Sequence, residues 1–181
     1  MSRLVVHAET DPAQVIADTD DAAAIARLLA EVGVRFERWD ARHALGIKSD
    51  AAEILGAYAP EIARLKAEGG YVTADVIRLT PDNPDHPVLR RKFLDEHTHA
   101  EDEVRFFVEG EGTFYLHLGG RVFRTLCCRD DLISVPAGTP HWFDMGPAPR
   151  FAAIRLFTNP EGWVARFTGS PIAEGFPRHG E

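Results

Sequence analysis

The sequence predicts a mainly β fold, an antiparallel sandwich or barrel with additional α-helices at its amino-terminal end. Two observations carry this. From residue 103 onward the chain breaks into short apolar runs bounded by Gly, Pro or Asp-rich turns, at the spacing of an antiparallel sandwich or barrel. Before residue 71 the apolar residues instead recur at helical spacing. With 181 residues and no internal repeat, low-complexity segment or interdomain linker, a single domain over 1–181 is expected. It divides into a largely helical part at 1–70, a barrel at 71–158 and an extension at 159–181.

Taken in order, "DTDDAAAIARLLAEVGV" places Ile25, Leu28, Leu29 and Val32 on one helical face, after acidic residues suited to a helix amino terminus and before Gly33. A strand, "RFERW", follows. A second helical region starts at Ser49, where Asp50 and Glu53 form a capping-box pattern, and stops at Gly69-Gly70, with Pro60 kinking or restarting it. "YVTADVIRL" reads as a strand, "TPDNPDHP" as a loop and "VLRRKFL" as a short helix. The strands "EVRFFVEG", "GTFYLHL", "RVFRTLCC", "DLISVPAG", "HWFDM" and "RFAAIRLF" come next, and "NPEGWVARFTG" is expected to add a final helical turn or two.

Composition narrows the function classes. There are 28 Asp and Glu against 20 Lys and Arg, a net charge of -8, and no basic run able to neutralise a phosphate backbone, so nucleic acid is not an expected partner. No segment approaches the ~20 apolar residues that span a bilayer, and a soluble, cytoplasmic protein is expected. The two cysteines, Cys127 and Cys128, are adjacent, which excludes a disulfide framework and suits a reducing compartment.

One stretch stands apart. "EHTHAEDEVRFFVEGEG", residues 96–112, sets two histidines, six acidic side chains and an arginine into a segment that otherwise reads as a buried strand. Unpaired charge is costly to bury, so a cation, ion pairs or solvent must compensate it. Residues two apart share a face of a strand, which groups His97, His99, Glu103 and Arg105 if the strand runs through them. Imidazoles and a carboxylate suit a divalent transition metal, and "VPAGTPHWFD" offers His141 as a fourth ligand. Glu101, Asp102 and Glu109 read as a solvated edge, and His7, His43, His86, His117 and His179 as ordinary core or surface histidines.

The pattern HxHxxxE, then six residues and Gly110, with PxGxxH ending at His141, resembles the two motifs of the cupin superfamily, a jelly-roll β-barrel with its metal inside the barrel mouth. The resemblance sharpens with "FERW" (Phe36 to Trp39), "KFLDEHTHAEDEVRFFVEGEG", "DLISVPAGTPHWFDMG" and "NPEGWVARFTG", which together are similar to the acireductone dioxygenase family of methionine salvage. It extends over nearly the whole chain. Two positions depart from the general cupin pattern, with Asp130 in place of the usual glycine before the second motif and Met145 in place of the asparagine after its histidine.

By that resemblance, His97, His99, Glu103 and His141 bind one Fe(II) or Ni(II) ion per chain. The substrate would be a dihydroxy-keto-methylthiopentene, cleaved with O2 by a chain that is expected to be a monomer. Arg105 is implied as the cation that stabilises the substrate anion, or else as an ion-pair partner of Glu103 or Glu109. The resemblance makes Asp102 a candidate general base, a role that requires a bend or bulge after His99. Phe93, Phe143 and Trp163 are implied as walls for the methylthio tail, and Arg155 is left either lining the cavity or pairing with a carboxylate. Two other readings stand beside this one: a metal-binding cupin isomerase, and a ligand-sensing cupin module.

Overall fold

The chain opens on a β-hairpin, β1 (Arg3–Ala8) and β2 (Asp11–Thr19). The computed structural model describes residues 1–46, 49–160 and 162–181. The hairpin corrects the expectation of a largely helical 1–70. The apolar run Leu4-Val5-Val6 is short, and what makes it a strand is a distant partner, β7 (Arg121–Cys128), which pairs along its whole length.

The helices that follow obey local rules. Helix α1 (Ala22–Ala30) begins at Asp21, whose side chain accepts the Ala24 N–H at 2.7 Å, and it buries Ile25 and Leu29 completely. After β3 (Arg35–Arg38), α2 (Ala51–Ala57) carries the complete Asp50–Glu53 capping box. Helix α3 (Ala59–Gly69) restarts at Pro60 and ends at Gly70 in the left-handed region, φ 70°. Then come β4 (Thr73–Leu79), α4 (His86–Leu94), β5 (His97–Thr98), β6 (Glu103–Leu118), β7, β8 (Asp131–Val135), β9 (His141–Asp144), β10 (Phe151–Phe157) and β11 (Arg166–Phe167). Two further expectations are corrected here. "EVRFFVEG" and "GTFYLHL" form one strand, β6, and the helix expected in "NPEGWVARFTG" is replaced by irregular backbone leading into β11, with Glu161 outside the described residues.

Among the described residues the strands form two sheets that share β6. The amino-terminal half of β6 pairs with β8 and β10, in the order β4-β10-β6-β8-β3. Its carboxyl-terminal half pairs with β7 and β9, in the order β11-β5-β9-β6-β7-β1-β2. The result is the double-sheet jelly roll expected, with open sheet edges. Between the sheets lies the main core, including Leu4, Phe107, Phe114, Leu116, Phe123, Ile133, Phe143 and Phe151. The opposite face of the first sheet, with Val104, Phe106, Ile154 and Leu156, is covered by Ile54, Tyr58, Ile62 and Leu65 of α2 and α3. Tyr115 and Trp142, on the far face of the second sheet, pack against Ala173 and Phe176 near the carboxyl end.

Strict alternation along β6 would fail to build this core. Phe107 faces the interior, so continued alternation would place odd-numbered residues there and send Phe114 and Leu116 outward. The register against β10 shifts between Ala152, opposite Glu109, and Ala153, opposite Phe107, so one residue of β6 is extra. This bulge, followed by Gly110 at φ 65°, exchanges odd for even and lets one strand face inward in both sheets.

The departure at Asp130 has a backbone explanation. Asp130 is the one non-glycine at positive φ among the described residues (82°), and it occupies the β7–β8 turn where a glycine is usual. Asp tolerates this conformation, and here its carboxylate accepts the Ala41 N–H at 3.0 Å while its own N–H donates to the Phe107 carbonyl at 2.9 Å. No helix among the described residues is long and apolar enough to cross a membrane.

Gly110 and Gly119 offer a controlled comparison. A Cβ on Gly110 would overlap the Arg150 carbonyl, whereas one on Gly119, at φ 58°, meets nothing within 4 Å. Gly110→Ala should therefore cost about 3 kcal/mol or more and Gly119→Ala only about 1 kcal/mol. In thermal unfolding, Gly110→Ala should lower the midpoint by about 6–12 °C and Gly119→Ala by about 2–4 °C.

Candidate metal centre and cavity

Four side chains converge at the mouth of the sandwich. The donor atoms of His97, His99, Glu103 and His141 all lie within 4.8 Å of one another, and all four residues are buried. His97 comes from β5, Glu103 from the start of β6 and His141 from the start of β9, where His97 and His141 are register partners. The strand does not run unbroken from His97 to Glu103. Residues 99–102 leave it, and β6 resumes at Glu103 with His99 against its carboxylate and His97 within the same cluster.

The imidazoles are held in one tautomer by backbone carbonyls. His97 Nδ1 lies 2.7 Å from the Asp95 oxygen, His99 Nδ1 lies 3.1 Å from that of Val164, and His141 Nδ1 lies 2.8 Å from that of Thr139. A carbonyl only accepts, so each Nδ1 carries the proton and each Nε2 presents a lone pair inward. Yet the Nε2 atoms of His99 and His141 both stand 3.0 Å from Glu103 Oε2, which is itself an acceptor. A neutral cluster would thus oppose lone pairs to lone pairs, and a divalent cation among the donors satisfies all of them at once. The donor set fits such an ion. Burial and the neighbouring His141 push the His97 pKa down to about 4, so this ring is neutral and able to ligate at pH 7. Burial alone would raise the Glu103 pKa, but the charge of Arg105 and contacts with His141 and His99 outweigh it and hold the carboxylate well below its ordinary range.

These four side chains line a cavity of about 600 Å³. Arg105 faces it from β6, 4 % exposed, with Nε 2.8 Å from Glu103 Oε1 and the guanidinium 4.6 Å above the Phe143 ring. The pair is close but poorly aligned. Glu103 Oε1 and Arg105 Nε and Nη1 have no hydrogen-bond partner of good geometry among the described residues. Phe93, Phe143 and Trp163 form apolar wall, and the Trp163 ring stacks on His99 at 5.8 Å between centroids. Arg155 does both things the sequence left open. It lines the cavity and pairs through Nε and Nη2 with Asp75, its register partner on β4, at 2.8 and 2.6 Å.

Asp102 is placed elsewhere. Its side chain is exposed, is absent from the cavity lining and accepts the Ala137 N–H at 2.9 Å. The bend after His99 turns it toward the β8–β9 loop, away from the metal cluster, so the geometry does not support a general-base role. Among the ordinary histidines, His117 bridges Glu96 and Glu9 at 2.7 and 2.8 Å. Both cysteines are free thiols.

Sequence reasoning missed several parts of the site. Leu89 and Lys92 reach the cavity from α4, and Leu89 stands four residues from Phe93, a spacing that could have found it. Phe157 follows from the parity of Arg155 on β10. The segment after β10 folds back as a strap over the cavity: Gly162, Trp163 and Ala165 line it, the Val164 carbonyl orients His99, and β11 pairs with β5. The carbonyls of Asp95, Thr139 and Val164 carry no side-chain signal at all.

A family model described as ARD/ARD' family matches residues 3–165. Acireductone dioxygenase of Parvibaculum lavamentivorans is 59% identical over 178 residues, covering 98% of this chain and 97% of that protein. The enzyme of that name from Prochlorococcus marinus is 56% identical over 183 residues, covering 98% and 99%. Among solved structures, acireductone dioxygenase from Bacillus anthracis with a cadmium ion in its active center matches with a TM-score of 0.79 at 32% identity, over 92% of this chain and 98% of that one. A match that starts in the amino-terminal hairpin and runs into the strap over the metal cluster, with relatives more than half identical along nearly their whole length, places this chain in the acireductone dioxygenase family.

Proposed function

We propose that the protein is a metal-dependent dioxygenase acting on the acireductone 1,2-dihydroxy-3-keto-5-methylthiopentene in methionine salvage. With Fe(II), O2 cleaves it to 4-methylthio-2-oxobutanoate and formate, and with Ni(II) to 3-methylthiopropanoate, formate and carbon monoxide. The observation that carries the reading is the buried guanidinium of Arg105, whose Nη1 lacks a hydrogen-bond partner among the described residues, beside a four-donor metal cluster in an apolar-walled cavity. Family membership supports the same substrate class.

His97, His99, Glu103 and His141 would hold the ion, which when bound would supply Lewis-acid charge and, in the case of iron, redox capacity toward dioxygen. The chain's own residues do the rest. Arg105 offers a fixed positive charge that is itself buried, where a hydrogen bond from Nη1 to an anionic oxygen is worth more than in solvent. The rings of Phe143 and Phe114 flank that guanidinium at 4.6 and 5.1 Å and leave it few alternative positions. Phe93 and Trp163 supply aromatic edges and faces suited to a thioether sulfur. The carbonyls at Asp95, Thr139 and Val164 keep the three imidazoles aimed, so that substrate arrival requires no tautomer change.

Three outcomes test the reading. His141→Ala should weaken metal binding by at least about a hundredfold while the fold persists, as read by elemental analysis after dialysis and by circular dichroism. Full occupancy in the folded variant would take His141 out of the site. Arg105→Met should keep bound metal near the wild-type level and lower kcat/KM for acireductone by about a hundredfold to a thousandfold. Wild-type efficiency would mean that the residue serves only as the partner of Glu103. Metal-free protein reloaded separately with each ion should yield carbon monoxide with nickel and not with iron, measured in the headspace alongside the organic acids. Equal yields from both would remove the metal-dependent branch, and no oxygen uptake with either ion would remove the dioxygenase reading.

A further inference from the structure

Helix α4 forms one wall of the cavity, contributing Leu89 and Phe93, yet none of its residues is fully buried. Its amino terminus lacks a side-chain cap, since Asp85 makes no such hydrogen bond. Phe93 meets Phe143 edge-on at 6.5 Å, a loose contact for an aromatic pair. A helix this short and this exposed needs a specific tether.

That tether is Arg90. Its Nε and Nη2 donate to the two carboxylate oxygens of Asp144 at 2.7 and 3.0 Å, and this is the one ion pair between α4 and the sandwich among the described residues. Asp144 is completely buried at the end of β9, the strand that carries His141 and Phe143. It is held rigid by two further donors, the Gly146 N–H at 2.8 Å and the His179 N–H at 3.0 Å. Arg90 itself does not line the cavity.

We propose that Arg90 is a positioning residue for substrate selectivity: by docking α4 on Asp144 it sets how closely Phe93 and Leu89 approach the substrate's apolar tail. The inference rests on the acireductone reading given above and adds to it the determinant of tail length. An enediol with a short tail would use the metal cluster and Arg105 alone. One with a methylthioethyl tail must also fill the space that α4 closes. Loosening α4 should therefore penalise the long substrate selectively, because apolar contacts at a pocket wall discriminate chain length by roughly tenfold or more.

The test compares metal-loaded wild type, Arg90→Ala and Arg90→Lys on two acireductones, one with the methylthioethyl tail and one with a methyl group in its place. Oxygen uptake gives KM and kcat, and amide hydrogen exchange is followed across residues 86–94. In Arg90→Ala, KM for the long substrate should rise about tenfold and KM for the short one less than about twofold, with kcat and metal content close to wild type. Arg90→Lys, which keeps one charge-assisted bond, should stay within about threefold of wild type on both. Exchange across 86–94 should quicken in the alanine variant. An unchanged ratio of the two KM values in folded Arg90→Ala overturns the proposal whatever the exchange shows, and should that variant not fold, the same ratio in Arg90→Gln decides. If the wild type takes up oxygen with neither compound, the functional reading fails separately. Exchange across 86–94 then judges the tether by itself, with wild-type rates in Arg90→Ala overturning it.

Discussion

The structure depends on β6 being two half-strands joined without a loop. Each half must turn apolar side chains inward, but the halves belong to different sheets, and the strict two-residue period of an extended chain allows one continuous strand only one inward parity. The extra residue near Val108 and the left-handed Gly110 resolve this. Because of that single irregularity, Glu103, Arg105 and Phe107 share one interior with Phe114 and Leu116. Glu103 of the donor cluster, the Arg105 guanidinium and part of the apolar core are therefore successive stations along one strand, positioned by backbone hydrogen bonds.

Polar groups at one end of an apolar interior would ordinarily count against folding. Here the cost is contained by geometry: each imidazole satisfies its own N–H on a carbonyl, and the carboxylate is kept ionised by an adjacent arginine. What remains is a concentration of inward lone pairs and an under-coordinated guanidinium. The first suits a cation and the second an anion, so the site presents complementary positions for both.

Much of this was legible from residue types. The capping box at Asp50–Glu53, the grouping of His97, His99, Glu103 and His141 and the parity of Arg105 with Glu103 emerge as read, and Pro60 restarts its helix, one of the two outcomes its position allowed. What escaped reading was non-local or made of backbone. β1 exists because β7 pairs with it, and Leu4-Val5-Val6 alone has too few residues to declare a period. The strap resembles a helix start at Pro160, but pairing with β5 draws it out into β11. Asp102 lay one residue from a metal ligand, and only the turn at 99–102 decides which way its carboxylate points. Arg90 drew no reading of its own, because its partner Asp144 lies on a strand far along the chain.

The strap also has a consequence for biosynthesis. All four residues of the donor cluster precede residue 142, but the carbonyl that orients His99 belongs to Val164, and Trp163 packs over the same ring. β11 and the bond from the Thr168 N–H to the Glu96 carbonyl come later still. During translation the four donors are therefore synthesised before the carbonyl that orients His99, and the tautomer of that ring is fixed only once residues 163–168 have folded back across the mouth.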